Sequence, residues 1–327
     1  MKSVEFRRER EATWTELAGL VARCEAGGLR MLTAAELSRL PVLYRATLSA
    51  LSVARSISLD RNVVEYLESL AARAYVCVYG AKRPPLSAAA VFLGWRFPAM
   101  VRALRRQVAL SAALLVMGVV TGLVLTADDP TRFYALVDEG YAQGRTPAAT
   151  TEELRAALYD HEHPADALSA FAMFLFTHNA KVGMLCAALG FAAGVPVILL
   201  LFSNGLLLGA FAALYQQRSL GLEFWAWILP HGITELLAVV LCGAAGLSLG
   251  EALLFPGRHT RLRNLGLRGR DAGVVVLGAV LMLLFAGLVE GIFRQTVHSV
   301  EIRLLVAALT ALGWTAYFTS AGRRAPA

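Results

Sequence analysis

Charged residues are scarce in this chain. Asp, Glu, Lys and Arg make up 17% of its 327 residues, against roughly 25% in ordinary soluble domains. The deficit lies almost entirely after Arg106, in stretches long enough to cross a bilayer without a single charge. That excludes a soluble single-core enzyme and a disordered tail protein. Cysteine is equally sparse. Cys24, Cys77, Cys186 and Cys242 show none of the paired spacings of a disulfide framework or a zinc site, which excludes a stapled secreted domain. Catalytic signatures are missing as well: no HExxH, no P-loop, no Gly-rich nucleotide fingerprint and no Ser-His-Asp set can be read. The expectation is therefore a non-enzyme with no cofactor and no bound metal. A cleavable signal peptide is also absent. The opening MKSVEFRRER leads into charged, helix-like sequence, so the first apolar span is expected to act as the insertion signal.

What is present is apolar: 57% of the residues belong to the hydrophobic set, and mean hydropathy is +0.56. The reading is an all-α polytopic membrane protein of about six transmembrane helices with an N-terminal cytoplasmic helical domain. Residues 1–106 form that basic domain, with 17 Lys/Arg against 9 Asp/Glu. Trp14, Leu17, Val21 and Cys24 recur at helical spacing. Thr33 followed by Glu36 reads as a capping box opening a second helix, with Pro41 as a kink or break. A third helix covers Asn62 to Tyr79. In FLGWRFPAMVRALRRQ, Phe92, Trp95 and Phe97 alternate with arginines, which suits a helix lying on a membrane surface. Positive charge next to a membrane span marks the cytoplasmic side, so nucleic acid is not expected as a partner.

A span needs about 20 mostly apolar residues. Residues 108–126, 231–254, 272–293 and 302–320 qualify directly, with Pro230 read as the first helical position of the 231–254 span. The connection 127–167 holds 9 acids and 3 arginines, net −6, whereas 256–271 holds five arginines and one aspartate, net +4. The basic loop belongs inside and the acidic loop outside. That parity requires two crossings between residues 167 and 215, hence a hairpin broken near Gly194-Val195-Pro196. The transmembrane bundle is then 107–322, with both termini cytoplasmic at a bacterial inner membrane. Five GxxxG motifs (Gly118–Gly122, Gly190–Gly194, Gly205–Gly209, Gly246–Gly250, Gly287–Gly291) favour a compact bundle, a tight homodimer, or both. Gly205, Gly209, Gly232, Gly246 and Gly250 are the candidate helix-packing glycines.

Polar residues inside spans are costly and therefore informative. His178, Asn179, Lys181, Asn204, His231, Glu235 and Glu290 come from four helices and fall at mid-depth or in the outer half. The expected pairing is Lys181 with Glu235. The cluster reads either as a site for a substrate, ion or proton, or as a network that fixes helix register. His231 and Glu235, one turn apart, with His178 as a third ligand, are the weaker metal alternative, and His161-Glu162-His163 reads as solvated loop.

Two segments carry a family resemblance. LFSNGLLLGAF and ILPHGITELLAVVLCGAAGLSLGEALLFPGR resemble the stage II sporulation protein M family. They match its Asn-Gly pair followed by small residues (Asn204, Gly205, Gly209) and its Leu-Pro-His-Gly-x-x-Glu block (Leu229, Pro230, His231, Gly232, Glu235). Asn179 matches a paired-Asn position at which His178 departs. The N-terminal region is similar to the longer members through Trp14, Leu17, the LYR at Leu43 to Arg45, Ala54-Arg55 and YLESLAARAYVCVYG. The resemblance implies a non-enzymatic membrane scaffold or anchor that recruits protein partners. In one branch these are cell-wall-degrading enzymes, and in the longer branch AAA ATPase-associated proteins. The alternative, read from the polar residues, is a transporter or channel using Lys181, Asn204, His231 and Glu235. A scaffold needs that cluster dry, and a transporter needs a cavity reaching it.

Overall fold

A computed structural model describes residues 2–56, 60–79, 85–159, 165–297 and 299–323, with side chains left aside at 2–4, 85, 165–176 and 288–296. Every regular element among them is helical, and they divide into two compact units, 1–88 and 89–327.

The first unit packs α1 (Lys2–Gly27), α2 (Ala34–Ser56) and α3 (Arg61–Tyr79) around one core. Trp14, Leu17, Val21 and Cys24 meet Leu40, Tyr44 and Leu51 from α2 and Leu67, Leu70, Ala74 and Cys77 from α3. The capping box forms as the sequence predicts. Glu36 Oε2 accepts from the Thr33 backbone N–H at 2.9 Å, and the Glu36 N–H reaches back to Thr33 Oγ1. Pro41 neither breaks nor ends α2, which continues to Ser56. Burial of Leu40, Leu43 and Tyr44 around it outweighs the local cost of proline. Arg73–Glu25 and Arg55–Glu68 pairs, each 2.7 Å, link α3 to its neighbours at the surface.

The second unit runs through α4 (Pro85–Val91), a π-helical turn at Phe92–Arg96, α5 (Phe97–Ala103) and α6 (Arg105–Asp128). Short helices α7 (Phe133–Leu136), α8 (Glu139–Ala142) and α9 (Thr151–Tyr159) follow. The long helices are α10 (Ala165–Leu189), α11 (Val195–Gln217), α12 (Gly221–Leu254), α13 (Arg261–Thr296) and α14 (Val300–Ser320). Among the described residues α6, α11, α12, α13 and α14 are long and apolar enough to cross a membrane. At 25 residues, α10 has the length of a sixth. Burial singles out α12 as the hub. Of its most apolar stretch 72% is buried, against 11% for α14, and it packs on α6, α10, α11, α13 and α14.

Glycine makes this packing possible at two crossings. Gly118 and Gly122 of α6 face Gly205 and Gly209 of α11 so closely that a Cβ on Gly205 would meet Leu115 O and lie 2.9 Å from Gly118 Cα. Gly190 and Gly194 likewise meet Gly246 and Gly250 of α12. Four of the five GxxxG motifs are thus used within one chain, leaving none of those four to argue for a dimer. The fifth, Gly287–Gly291, falls partly outside the described residues. The hairpin break is where parity puts it. Residues 190–194 turn between α10 and α11. Gly194 takes a left-handed φ of 75° that suits glycine, and Pro196 sits in the first turn of α11, where a missing N–H is harmless.

Three expectations are corrected. The helix containing Pro230 starts at Gly221, with the proline inside it. The segment GLEFWAW, residues 221–227, forms the first turns of that apolar helix, and helix interiors in membranes tolerate proline. The basic stretch 256–271 is mostly helical, since α13 begins at Arg261. Phe97 does not lie on a surface. It is 1% exposed, edge-on to Phe318 at 5.5 Å, and fills the space that a side chain at Gly278 would need. Arg102 fixes this arrangement by donating to Phe318 O at 2.9 Å at the end of α14. Arg96, Arg105 and Arg106 stay exposed.

The acidic connection after α6 is folded. Phe133, Leu154 and Leu158 are buried against Leu214, Tyr215, Leu220, Phe224 and Trp227, at the end of the bundle where α11 finishes and α12 starts. A second capping box opens α9, where Glu153 Oε2 accepts from the Thr150 N–H at 2.7 Å.

Candidate intramembrane cavity

Beneath that folded connection lies a cavity of about 90 Å³, space for several water molecules. Its walls are largely apolar: Leu207, Leu208 and Phe211 from α11, Ile228 and Leu236 from α12, and Leu158 from α9. The polar lining is drawn from four places. Tyr141 and Arg145 come from the connection, His178 and Asn179 from α10, Asn204 from α11, and His231 and Glu235 from α12.

The helical repeat explains this convergence. On α12, His231 and Glu235 are one turn apart and therefore share a face. Both are buried, at 7% and 2% exposure. Neighbouring residues on α10 point toward different partners. Asn179 Nδ2 donates to Glu235 Oε2 at 2.7 Å, and His178 Nε2 lies 2.9 Å from Asn204 Oδ1. The other His178 nitrogen, Nδ1, is 3.2 Å from Tyr141 Oη. Since Asn204 Oδ1 can only accept, this arrangement makes Nε2 the donor, while Nδ1 shares a hydrogen bond with the Tyr141 hydroxyl. The second Glu235 oxygen, Oε1, is buried without a hydrogen-bond partner.

Five predicted residues (His178, Asn179, Asn204, His231 and Glu235) thus meet around one cavity. Two do not. Lys181 is exposed and makes no ion pair with Glu235. Two positions beyond Asn179, it lies about 200° around the helix, so Asn179 takes the carboxylate instead. Glu290 belongs to α13, and its side chain lies outside the described residues, as do residues 161–163. Gly232 is not an interhelical packing glycine. It lines the cavity, and a Cβ there would meet only Ile228 of its own helix. Among the described residues no three of His, Cys, Asp and Glu are grouped to hold a metal.

The sequence offered no signal for Tyr141 and Arg145, because nothing in an acidic connection says that it folds back over the bundle. Arg145 is nevertheless half-buried, burial pushes its guanidinium below its ordinary value, and Tyr215 opposes that shift.

This Asn-Gly, His-Gly-x-x-Glu arrangement sits within the part of the chain recognised by comparison with known families. Residues 86–293 match the family described as Stage II sporulation protein M, well over half of the chain. The chain belongs to the stage II sporulation protein M family. Residues 4–80 match a second family, a domain of unknown function, DUF8413, so the family domain and the three-helix unit meet close to the structural division at residue 88. Neither the curated proteins nor the solved structures gave a match. The family assignment and the spans together make this a multi-pass membrane protein.

Proposed function

We propose that this family member is a non-enzymatic membrane transporter whose ligand enters the cavity beneath the 127–167 connection. One observation carries the reading. The polar residues that are expensive to bury, although paired as Asn179–Glu235 and His178–Asn204, also line a space and leave one Glu235 oxygen open to it. Apolar walls with a few convergent polar groups are the ordinary make-up of a ligand site. Toward the other end of the bundle the glycine crossings of α10 with α12 bring backbones into contact, so the cavity is single-ended. Net charge of the connections supports an extracytoplasmic opening, and passage of a ligand requires the α10–α12 crossing to part.

The test is solvent access in a cysteine-free background. Single cysteines at Leu208, Phe211 and Ile228 are expected to react with a membrane-impermeant thiol reagent applied from outside. Cysteines at Leu201 and Ala244, both 0% exposed, should stay silent. Silence at all five in folded, inserted protein overturns the transporter.

A second reading, a scaffold gathering protein partners at the membrane, is favoured by the separate first unit. Tyr75 and Tyr79 are 55% and 63% exposed there, with rings 5.0 Å apart beside Tyr44. Such an exposed aromatic patch suits protein contact. AAA ATPase-associated proteins are the partners proposed for it, whereas cell-wall enzymes, which act outside, would meet the 127–167 connection instead. A photo-crosslinker at Tyr75 should then give protein adducts in cells, and adducts to lipid alone would count against this role.

A further inference from the structure

We propose, resting on the ligand-binding reading above, that the cavity takes an apolar amine, with its ammonium head on Glu235 and its hydrocarbon body along α11 and α12. The floor of the cavity supplies the argument. Glu235 is 2% exposed, only one of its two oxygens is engaged, and the cavity is what it faces. A buried carboxylate with an open acceptor position is costly until a donor fills it, and a cationic donor satisfies both charge and hydrogen bond.

The surrounding groups leave that place to the ligand. Lys181 points away, on the opposite face of α10. His178 has both ring nitrogens occupied, by Asn204 and Tyr141. Beside Glu235 itself, Asn179 contributes an amide and no charge. Arg145, the cavity's other formally charged side chain, belongs with Tyr215. Tyr215 stacks on Phe224 at 4.8 Å, and from Phe224 to Glu235 is about 16 Å of helical rise. The two charges therefore mark opposite ends of the site, and the carboxylate end is the buried one. Between them lie Leu207, Leu208, Phe211, Trp227 and Ile228, a wall that matches a hydrocarbon chain and whose aromatic faces tolerate a passing cation.

The experiment uses the full chain reconstituted in phosphatidylcholine vesicles, with Leu208→Cys in the cysteine-free background. Labelling of that cysteine is followed with octylammonium, 1-octanol or octanoate present. Octylammonium is expected to protect at a concentration at least about tenfold lower than octanol, with octanoate no better than octanol. Glu235→Gln should lose the preference, while Glu235→Asp should keep part of it. Equal protection by the three compounds, or a preference that survives in E235Q, overturns the amine assignment. If E235Q does not fold, the amine-to-alcohol comparison in the Glu235 protein decides alone. Absence of labelling without any compound would instead defeat the cavity reading on which this one depends.

Discussion

Glu36 serves several donors at once. Its carboxylate accepts from the Thr33 N–H and Oγ1 and from Arg23. The Thr33 backbone N–H foremost, then Arg23, holds it below its ordinary value of 4.5. Glu25 is held down by Arg73 in the same way. A carboxylate with a depressed folded-state pKa stabilises the fold above its ordinary value, and that contribution is lost as pH falls through the lowered one. Amide protection factors in α2 and α3, taken relative to the intrinsic exchange rate at each pH, should therefore fall as full-length protein is taken from neutrality to below pH 4.5. In Glu36→Gln the α2 part of that response should be weaker, and an unchanged α2 profile would refute the assignment. Thr33→Ala, which removes the cap, should cost about 1 kcal/mol. Cys77 makes the opposite case in the same unit. Burial first, and then its hydrogen bond with Cys24, pushes its thiol up to about 12. Iodoacetamide at pH 8 should modify it only as the unit unfolds, and rapid native-state alkylation seen by mass spectrometry would contradict its burial.

Helix packing sets the next scale, where glycines with different neighbours should respond oppositely to one added methyl. At Gly205 the methyl would meet the α6 backbone, so Gly205→Ala should destabilise the bundle by about 1–3 kcal/mol through overpacking. At Gly19 nothing lies within 4 Å, so Gly19→Ala should stabilise α1 by about 0.5–1 kcal/mol. Thermal unfolding of the two purified variants checks both signs. The GxxxG spacing announced these close approaches, although it left open whether the partner helix lay in the same chain. Asn204, His231 and Glu235 were legible as a site for a similar reason: a polar residue in an apolar span stands out whatever the fold. The Lys181–Glu235 pair was not, because charge complementarity says nothing about azimuth. Asn179 and Lys181 are close in sequence yet point to opposite sides of α10. Tyr141 and Arg145 were hidden for another reason. Their place depends on Phe133, Leu154 and Leu158 anchoring the connection, and such short helices carry too little periodic signal to reveal a buried face.

For the whole molecule, charge asymmetry and helix count make one joint claim. With α10 counted beside the five candidate spans, six crossings put both ends of the chain on the same side as the 256–271 segment. That leaves the 127–167 connection on the other side. Arg258 and Thr131 are both exposed, and neither lines the cavity. In intact cells a cysteine at Thr131 should react with an impermeant reagent, while one at Arg258 should react only after the membrane is opened. The proposed transport direction depends on this result as well as on the cavity. Tyr141, Arg145 and Leu158 of the connection line the cavity, so in the proposed carrier a ligand from that side meets the connection before it meets Glu235. If Thr131 and Arg258 reacted from the same side, the number of crossings between them would be even. One of α10, α11 and α12 would then not span, and if the shared side were the inner one the cavity would not be loaded from outside. Opposite sides together with a reactive Leu208→Cys would support a carrier loaded from outside.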